Sequence, residues 1–533
     1  MRIVGAFAVT VGIILAAWAW LGAPVDIPQL PAAGAPKLDC VSYAPFRGDQ
    51  TPFGPDVPID PRQIDADLAQ LKEVTGCVRT YAVDHGVDRV PEIARRHGMK
   101  VMQGLWVSNK PNDTRSQTVR AVALAREFPD VIESVVVGNE VLLRGEISAP
   151  DLSGLIREVK AQVPVPVTYG DVWEFWLRYR EVATAVDFVM IHLLPYWEDF
   201  PIPVADAASH VDAIRKRVAA AFPGKEIVIG EFGWPSAGRM REGALPSPAN
   251  QARALAEVLA LSRREHYRLN VIEAYDQPWK RQLEGTVGGY WGVFDAYRRK
   301  PKFVWGAPVS NHPGWVWQAA LGAGLATLVF GAAVAASKLQ LPAETGLRLL
   351  ATAAVSSTLI GWTIEKIPIE SLTVGDWLRS LSWAAVAALA PIAGAAAIAA
   401  KTSVPSFARV IGRRADRVKE PLGLAVGALL VAITVLALQA ALGLVFDPRY
   451  RDFPFTALAG ALFPFLAMIR SRPRLKRIRA GAESIAAATL GLSAIYILFN
   501  ETLANWQAVW FCAGLLALGF VLLSMQEEPV DPH

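Results

Sequence analysis

The spacing of hydrophobic and polar positions divides the chain into three regions. Residues 3–23 form an uncharged apolar run, residues 38–305 alternate short apolar runs with amphipathic segments, and residues beyond 314 are apolar over most of their length. A run of ~20 apolar residues is long enough to cross a bilayer as a helix. The two outer patterns therefore predict membrane helices, and the middle one predicts a soluble α/β domain.

Eight runs in the middle region are rich in β-branched or aromatic residues and predict strands. They are Cys40–Ala44, Cys77–Tyr81, Lys100–Trp106, Ser134–Gly138, Val165–Tyr169, Phe188–His192, Glu226–Gly230 and Val271–Tyr275. Segments of helical spacing separate several of them, and Ser247-Pro248 is typical of a helix start. Residues 38–305 are thus predicted to form a (β/α)8 TIM barrel, fused to an all-α polytopic transmembrane bundle.

The first 23 residues are either a signal peptide or a signal anchor. We favour a transmembrane signal anchor over 1–23, because its apolar run is long for a signal peptide and Trp18 and Trp20 suit a membrane interface. Residues 24–37 are rich in Pro and Ala and are predicted to be a linker.

The last region, 314–525, contains about seven apolar segments that predict transmembrane helices, followed by a cytoplasmic tail at 526–533. The segments are Trp315–Ser337, Leu347–Ile364, Leu381–Ala400, Leu422–Phe446, Phe453–Ile469, Ser484–Phe499 and Trp506–Ser524. Several are short for a full crossing, so one segment more or fewer is compatible with the sequence.

Charge predicts the orientation in the membrane. The loops 401–420 and 470–479 carry six Lys or Arg each, and Arg2 precedes the first helix. Such loops stay in the cytoplasm, which places the barrel on the opposite side. We therefore expect a multi-pass protein of the bacterial inner membrane with a periplasmic barrel. The net charge of +4 reflects this topology and does not indicate nucleic-acid binding.

Three cysteines without a CxxC pair argue against a zinc ribbon, an iron–sulfur cluster or a disulfide-dense scaffold. No motif indicates a metal or a cofactor. Cys40 and Cys77 begin neighbouring strands at matching depth, with Cα atoms expected to lie about 5 Å apart. A disulfide and two buried thiols are equally compatible with this placement, while Cys512 lies in an apolar segment.

Two glutamates follow predicted strands four and seven: Glu140 in VVVGNEVLLR and Glu231 in IVIGEFGWPSAGR. The carboxyl ends of barrel strands form the active face of this fold. Glycoside cleavage needs two carboxyl groups, one to protonate the leaving oxygen and one to attack or stabilise the anomeric carbon. Asn139 is placed to bind a sugar 2-hydroxyl, and His192 is interpreted as a hydrogen-bonded scaffold residue.

Ordered motifs across residues 38–305 resemble glycoside hydrolase family 17, the β-1,3-glucanases and β-1,3-glucanosyltransferases. They are VSYAPFR, CVRTY, GLWV, GNE, VTYGD, HLLPYW, GEFGWPS, EAYDQPWK and GGYWGVF. The resemblance implies a retaining mechanism with Glu140 as acid/base and Glu231 as nucleophile. It also implies that Lys280 and Glu284 belong to a charged cluster that tunes the site. With its apolar half, the chain resembles a bacterial subset that remodels or branches periplasmic glucan.

Aromatic residues after the strands are candidates for substrate binding, because flat apolar faces stack on glucose; burial in the core is the alternative. The candidate platforms are Trp173, Trp176, Tyr196, Trp197, Trp234 and Trp279, and the strand-end tyrosines are Tyr43, Tyr81 and Tyr169.

Four functions fit these observations. We favour a retaining transglycosidase that remodels, branches or elongates periplasmic β-glucan; a β-1,3-glucanase with the same catalytic pair is the alternative. A glucan synthase or export component is disfavoured, because a convincing nucleotide-sugar motif is lacking and the apolar segments contain few charges. A non-catalytic glucan-binding module would not need both glutamates. The expected partners are β-glucan, membrane lipid and a membrane glucan synthase.

Overall fold

The computed structural model describes residues 3–29, 37–54, 58–297, 299–337, 342–411, 420–469 and 481–524. The chain divides into two compact units. One comprises Val25–Ala237 and Gly243–Val309, and the other Met1–Pro24, Gly238–Glu242 and Ser310–His533. The first unit is the barrel and the second is helical.

The barrel is a closed, all-parallel sheet whose strands follow one another in chain order. The strands are β1 (Cys40–Ser42), β2 (Cys77–Arg79), β3 (Lys100–Leu105), β4 (Ile132–Asn139), β5 (Val167–Val172), β6 (Val189–His192), β7 (Ile227–Phe232) and β8 (Leu269–Val271). Closure occurs where Val41 of β1 pairs with Val271 of β8 and with Val78 of β2. The predicted (β/α)8 fold is confirmed.

Helices connect successive strands and cover the outside of the sheet. They are α2 (Pro61–Leu71), α3 (Val90–His97), α4 (Pro111–Glu127), α5 (Ala149–Lys160), α6 (Trp173–Arg178), α7 (Val204–Ala221), α8 (Pro248–Arg264) and, after β8, α9 (Arg281–Glu284); α1 (Ile3–Leu21) precedes the barrel. The predicted start of α8 is confirmed, since the Ser247 hydroxyl accepts the N–H of Asn250 at 3.1 Å.

One strand prediction needs correction. The last strand was expected at Val271–Tyr275, but β8 ends at Val271. Residues beyond it hydrogen-bond elsewhere: the N–H of Glu273 donates to the carbonyl of Trp291, and that of Ala274 donates to the carbonyl of Ser42. The segment therefore leaves the sheet while staying at the carboxyl end of the barrel.

A disulfide joins Cys40 and Cys77 in a small apolar cluster with Met102, Val136 and Met190. Their Cα atoms lie 4.4 Å apart, close to the separation expected from the strand register. Of the two readings left open by the sequence, the structure therefore contains the disulfide, while Cys512 is a buried free thiol.

The helical unit contains α1 and the helices after the barrel. These are α10 (Trp315–Ser337), α11 (Ala343–Glu370), α12 (Val374–Ala400), α13 (Phe407–Ile411), α14 (Pro421–Phe446), α15 (Phe455–Met468), α16 (Gly481–Glu501) and α17 (Trp506–Ser524). Seven helices of the described chain, α1 among them, are long and apolar enough to cross a membrane. Helix α15 has 14 residues, which is ~21 Å at 1.5 Å per residue, so this predicted segment is too short for a straight crossing.

Five residues that follow β7, Gly238–Glu242, group with the helical unit. The guanidinium of Arg239 is almost fully buried there and ion-pairs with Glu501. The N–H of Met240 donates to Gln507 at 2.9 Å, and Asn505 donates to the carbonyl of Met240 at 2.9 Å. Pairing of this kind is needed, because an unpaired buried guanidinium would be costly.

Some predictions concern residues outside the described ranges. These are the basic loop 470–479, most of the basic residues of loop 401–420, part of the linker at 30–36, and the tail 526–533. They remain predictions from the sequence.

Candidate active site

Glu140 and Glu231 lie together at the carboxyl ends of β4 and β7. One carboxylate oxygen from each and one nitrogen of His192 lie within 4.8 Å of one another. The imidazole stands between the two acids: Nδ1 is 2.8 Å from Oε1 of Glu140 and Nε2 is 3.7 Å from Oε1 of Glu231. The side chain of Glu140 is partly exposed, at 22%, whereas that of Glu231 is 5% exposed.

Two glycines close to the glutamates stand where a side chain would clash with its neighbours. Gly138 has φ +84°, and a Cβ at this position would lie 2.5 Å from Cγ2 of Val141. A Cβ on Gly230 would lie 2.3 Å from Cγ of Met190. Both positions therefore require glycine. This explains why a glycine stands two residues before Glu140 and directly before Glu231.

Two side chains donate hydrogen bonds to the carboxylate of Glu231. NH1 of Arg79 lies 3.1 Å from Oε1, and the hydroxyl of Tyr81 donates to the same oxygen at 2.9 Å. Burial alone would raise the pKa of Glu231, but His192, Arg79, Lys280 and the Tyr81 hydrogen bond together hold the pKa below its ordinary value. These groups thus favour the ionised form of the carboxylate.

The same arginine positions Asn139. Its NH2 group donates to Oδ1 of Asn139 at 2.6 Å, and its NH1 group also donates to the carbonyl of Gly230 at 2.8 Å. Arg79 is 1% exposed and links the residues before both glutamates. The Asn139 carboxamide, half-buried beside Glu140, keeps its NH2 end as a donor.

A second charged cluster lies beside Glu231. Nζ of Lys280 lies 2.9 Å from Glu273, whose carboxyl is buried. Burial raises the pKa of Glu273 to about 7 against the opposing effect of Lys280. The pKa of Lys280 is also raised, because Glu273 and Glu284 outweigh the effect of burial. Lys280 and Glu284, expected to form a charged cluster, are thus brought together around Glu273.

Five of the predicted aromatic contacts are in the core. Tyr43, Tyr169, Trp176, Tyr196 and Trp234 are each at most 2% exposed. Trp176, for example, donates its Nε1–H to the carbonyl of Met190 at 2.8 Å, and the Trp234 indole donates to Leu245 at 3.0 Å. These buried rings have no free face on which a sugar could stack. The prediction that they bind substrate is therefore wrong for these five residues.

The other aromatic candidates are half-buried at the strand ends. Trp279 packs edge-on with Phe46 and with the exposed Phe53. Trp197 lies parallel to Trp291 at a centroid distance of 6.5 Å. Trp173 donates its indole N–H to Glu198 at 3.2 Å, and Arg217 covers one of its faces. Trp197 and Trp279 are therefore better placed than Trp173 as sugar platforms.

Three residues of the site have no role assigned from the sequence, and a fourth, His192, is more central than expected. Arg79 is the arginine of CVRTY, Glu273 follows β8, Asp171 ends VTYGD, and His192 was interpreted as scaffold. The sequence did contain a signal for Arg79 and His192. They lie at the ends of β2 and β6, and alternate side chains of a barrel strand point into the barrel. For Glu273 the strand end was misplaced, so its position was not apparent.

The trio Glu140, His192 and Glu231 also has the atom types of a metal site. NH1 of Arg79 lies 3.1 Å from Oε1 of Glu231 and 3.4 Å from Nε2 of His192. A fixed guanidinium therefore supplies the positive charge that a cation would contribute, and the donor set is a poor fit for an ion.

Comparisons with known proteins identify the class. Residues 40–292 match the BtgE/BtgC glycoside hydrolase domain. A glucan 1,3-beta-glucosidase of Arthroderma benhamiae is 29% identical over 270 residues, covering 46% of this chain and 84% of that protein. One from Saccharomyces cerevisiae is 28% identical over 256 residues, covering 43% and 80%. A crystal structure of glycoside hydrolase family 17 β-1,3-glucanosyltransferase from Rhizomucor miehei is 25% identical, covers 51% of this chain and 98% of that one, and has a TM-score of 0.45.

The barrel of this chain matches a glycoside hydrolase domain over residues 40–292. Within that class, its sequence corresponds to the BtgE/BtgC domain over residues that include β1 to β8 and both glutamates. The resemblance inferred from the motifs is confirmed.

Proposed function

We propose that the barrel cleaves β-1,3-glucan with retention of anomeric configuration. The observation that carries this proposal is the separation of the two acids, whose nearest oxygens lie within 4.8 Å. Retaining glycosidases place their carboxyl groups ~5–5.5 Å apart, whereas inverting enzymes need ~6.5–9.5 Å to admit a water molecule. The curated relatives named above, both glucan 1,3-beta-glucosidases, support β-1,3-glucan as the substrate.

In this mechanism Glu231 attacks the anomeric carbon and Glu140 protonates the departing oxygen. The ion pair with Arg79 keeps Glu231 charged until the attack. The more exposed carboxyl of Glu140 then deprotonates the acceptor that opens the glucosyl-enzyme. Asn139, oriented by Arg79, would donate to the 2-hydroxyl, an interaction that strengthens in the transition state.

We further propose that a sugar hydroxyl, rather than water, is the preferred acceptor. Half-buried Trp197 and Trp279 at the strand ends support this choice, because aromatic faces there would hold an acceptor sugar and exclude water. Simple hydrolysis uses the same pair of acids and is the alternative.

The helical unit is proposed to hold the enzyme in the bacterial inner membrane with the barrel in the periplasm. The candidate spans and the basic loops of the sequence support this orientation. A disulfide in the barrel is compatible with an oxidising compartment. Contact with a membrane glucan synthase would bring nascent glucan to the barrel.

Product analysis with defined β-1,3-gluco-oligosaccharides tests this function. The full-length protein is incubated with laminaripentaose, and the products are separated by chain length. Products longer than the substrate, or branched, are expected. Shorter products alone would leave hydrolysis as the activity, and no turnover of any β-glucan would refute the proposal.

A further inference from the structure

Tyr169 and Asp171 form a buried pair at the end of β5, behind Glu140. They are 1% and 0% exposed. The Tyr169 hydroxyl donates to Oδ2 of Asp171, while Oδ1 of Asp171 accepts the N–H of Val172 at 2.8 Å. The same tyrosine oxygen accepts the N–H of Leu142 at 2.9 Å. One hydroxyl therefore connects a buried carboxylate to the backbone just after Glu140.

The backbone at Glu140 needs such support. Its φ is +53°, in the left-handed region that residues other than glycine rarely adopt. Strand β5 holds this turn on both sides. The N–H of Glu140 donates to the carbonyl of Gly170 at 2.8 Å, and the N–H of Leu142 donates to Tyr169. The direction of the Glu140 side chain depends on this turn, because the Cα–Cβ bond follows the backbone.

We propose that Asp171 is a positioning residue for Glu140, acting through Tyr169. Asp171 is fully buried and cannot touch the sugar, so its effect passes through the tyrosine. A carboxylate acceptor fixes the hydroxyl hydrogen of Tyr169 and turns a lone pair toward Leu142. The inference rests on the proposed role of Glu140 as the proton donor.

The charges around Asp171 are consistent with this role. Burial raises the pKa of Asp171 to about 6; Glu140 raises it as well, while the Tyr169 hydrogen bond and His192 lower it. These groups face Asp171 from β4, β5 and β6. Asp171 is therefore ionised, and a strong acceptor for Tyr169, above about pH 6.

A positioning role for Glu140 has a specific kinetic consequence. A sugar leaving group needs a well-placed proton donor, whereas 2,4-dinitrophenolate departs without one. Misplacing Glu140 should therefore slow formation of the glucosyl-enzyme from an oligosaccharide and spare its formation from a dinitrophenyl glycoside, a step that kcat/KM reports. General loosening of the barrel would slow both reactions to the same extent.

The test compares Asp171→Asn and Tyr169→Phe in the full-length protein on laminaripentaose and on 2,4-dinitrophenyl β-laminaribioside. Both changes preserve side-chain volume. For the pentaose we expect kcat to fall about 10- to 100-fold, in line with the cost of misplaced catalytic groups, with KM changed less than about twofold. For the dinitrophenyl substrate kcat/KM should stay within about threefold of wild type, because it reports formation of the glucosyl-enzyme and not the later step in which Glu140 acts as base.

Tyr275→Phe is the matched control. Tyr275 is also buried, and its hydroxyl donates to Gln70 at 2.8 Å, remote from Glu140 in the hydrogen-bond network. Any loss in this variant should be equal for both substrates. An equal loss for both substrates in Tyr169→Phe and Asp171→Asn, or no loss, would overturn the inference.

Glu140→Gln measured in parallel separates this inference from the proposed function. If Glu140→Gln spares kcat/KM for the dinitrophenyl substrate and the two positioning variants do not, Asp171 is merely structural. If Glu140→Gln itself shows no dependence on the leaving group, the assignment of Glu140 as proton donor is refuted.

Discussion

NH1 of Arg79 lies 3.1 Å from Oε1 of Glu231, and the two side chains are 1% and 5% exposed. A buried carboxylate is stable only when it is paired, and breaking such a pair leaves an uncompensated charge. The ion pair therefore explains how the proposed nucleophile stays charged at the bottom of the site. It also shows that the arginine of CVRTY, on β2, belongs to the same site as Glu231 on β7, although the two residues are distant in the sequence.

Removing either glutamate should abolish efficient turnover, for different reasons. Glu231→Gln lacks the nucleophile and Glu140→Gln lacks the proton donor, and each loss is expected to lower kcat by about 10²-fold or more. In Glu140→Ala, added azide should restore turnover of a dinitrophenyl glucoside and give a β-glucosyl azide, detected by NMR. Failure of azide rescue at position 140 together with rescue at position 231 would mean that the two roles are exchanged.

Tyr81→Phe should move the acid limb of the pH profile to higher pH. The pKa of Glu231 lies below the ordinary glutamate value of 4.5, so its carboxylate stays ionised at lower pH than that of a free glutamate. Loss of the Tyr81 hydroxyl removes a donor to the ionised form and raises this pKa. The acid limb of kcat/KM, which reports the free enzyme, measures the change. Tyr267→Phe, which removes a buried hydroxyl without a partner, should leave that limb in place.

Gly170→Ala should impair catalysis through crowding. A Cβ at Gly170 would lie 2.9 Å from Nε2 of His192 and 3.0 Å from NH2 of Arg79, so both side chains would have to shift. A loss in kcat/KM of about 10- to 100-fold is expected. Gly154→Ala on α5 is the control, because its Cβ meets nothing within 4 Å. This helix substitution should raise stability by about 0.5–1 kcal/mol and leave activity unchanged; equal kinetics for the two variants would contradict the prediction.

With Cys40 and Cys77 joined in a disulfide, we expect one free thiol, that of Cys512. Denatured protein without reductant should react at Cys512 alone, and three reactive thiols would show that the bridge is not formed. For residues separated by 37 positions, the chain-entropy estimate of the stabilisation is about 4 kcal/mol. Reduction should accordingly lower the Tm of the barrel, measured by calorimetry with and without reductant.

Reporter fusions test the orientation. Fusions after Ser337 and within 470–479 should report cytoplasm, and fusions after Trp305 and near Asn500 should report periplasm. The fusion within 470–479 is the most informative, because α15 has 14 residues. A cytoplasmic signal at Trp305 would contradict a periplasmic barrel.

The strand order and both glutamates could be predicted because barrel strands alternate regularly and active residues follow them. The VVVG and IVIG runs end beside Glu140 and Glu231, so their positions followed from the fold alone. The end of the barrel was less regular. Residues after Val271 bond to Trp291 and Ser42, which are distant in sequence, so the position of Glu273 could not be predicted.

The aromatic residues show a second limit. Tyr43 and Trp234 follow strands just as Trp279 does, and Tyr169 lies within β5, yet these three are buried and Trp279 is half-exposed. Whether a ring lies in the core or at the surface depends on packing between elements that the local pattern does not specify. Tyr169 thus belongs to the support of Glu140 rather than to the sugar-binding face.

The anomeric configuration of the first product tests the central proposal most directly. The full-length enzyme is mixed with laminaripentaose, and ¹H NMR spectra are recorded before mutarotation equilibrates the anomers. Because a carboxylate oxygen of Glu140 lies within 4.8 Å of one of Glu231, we predict that the new anomeric centre, in a reducing sugar or in a transfer product, is β. An initial product of α configuration would contradict the retaining mechanism and the roles assigned to both glutamates.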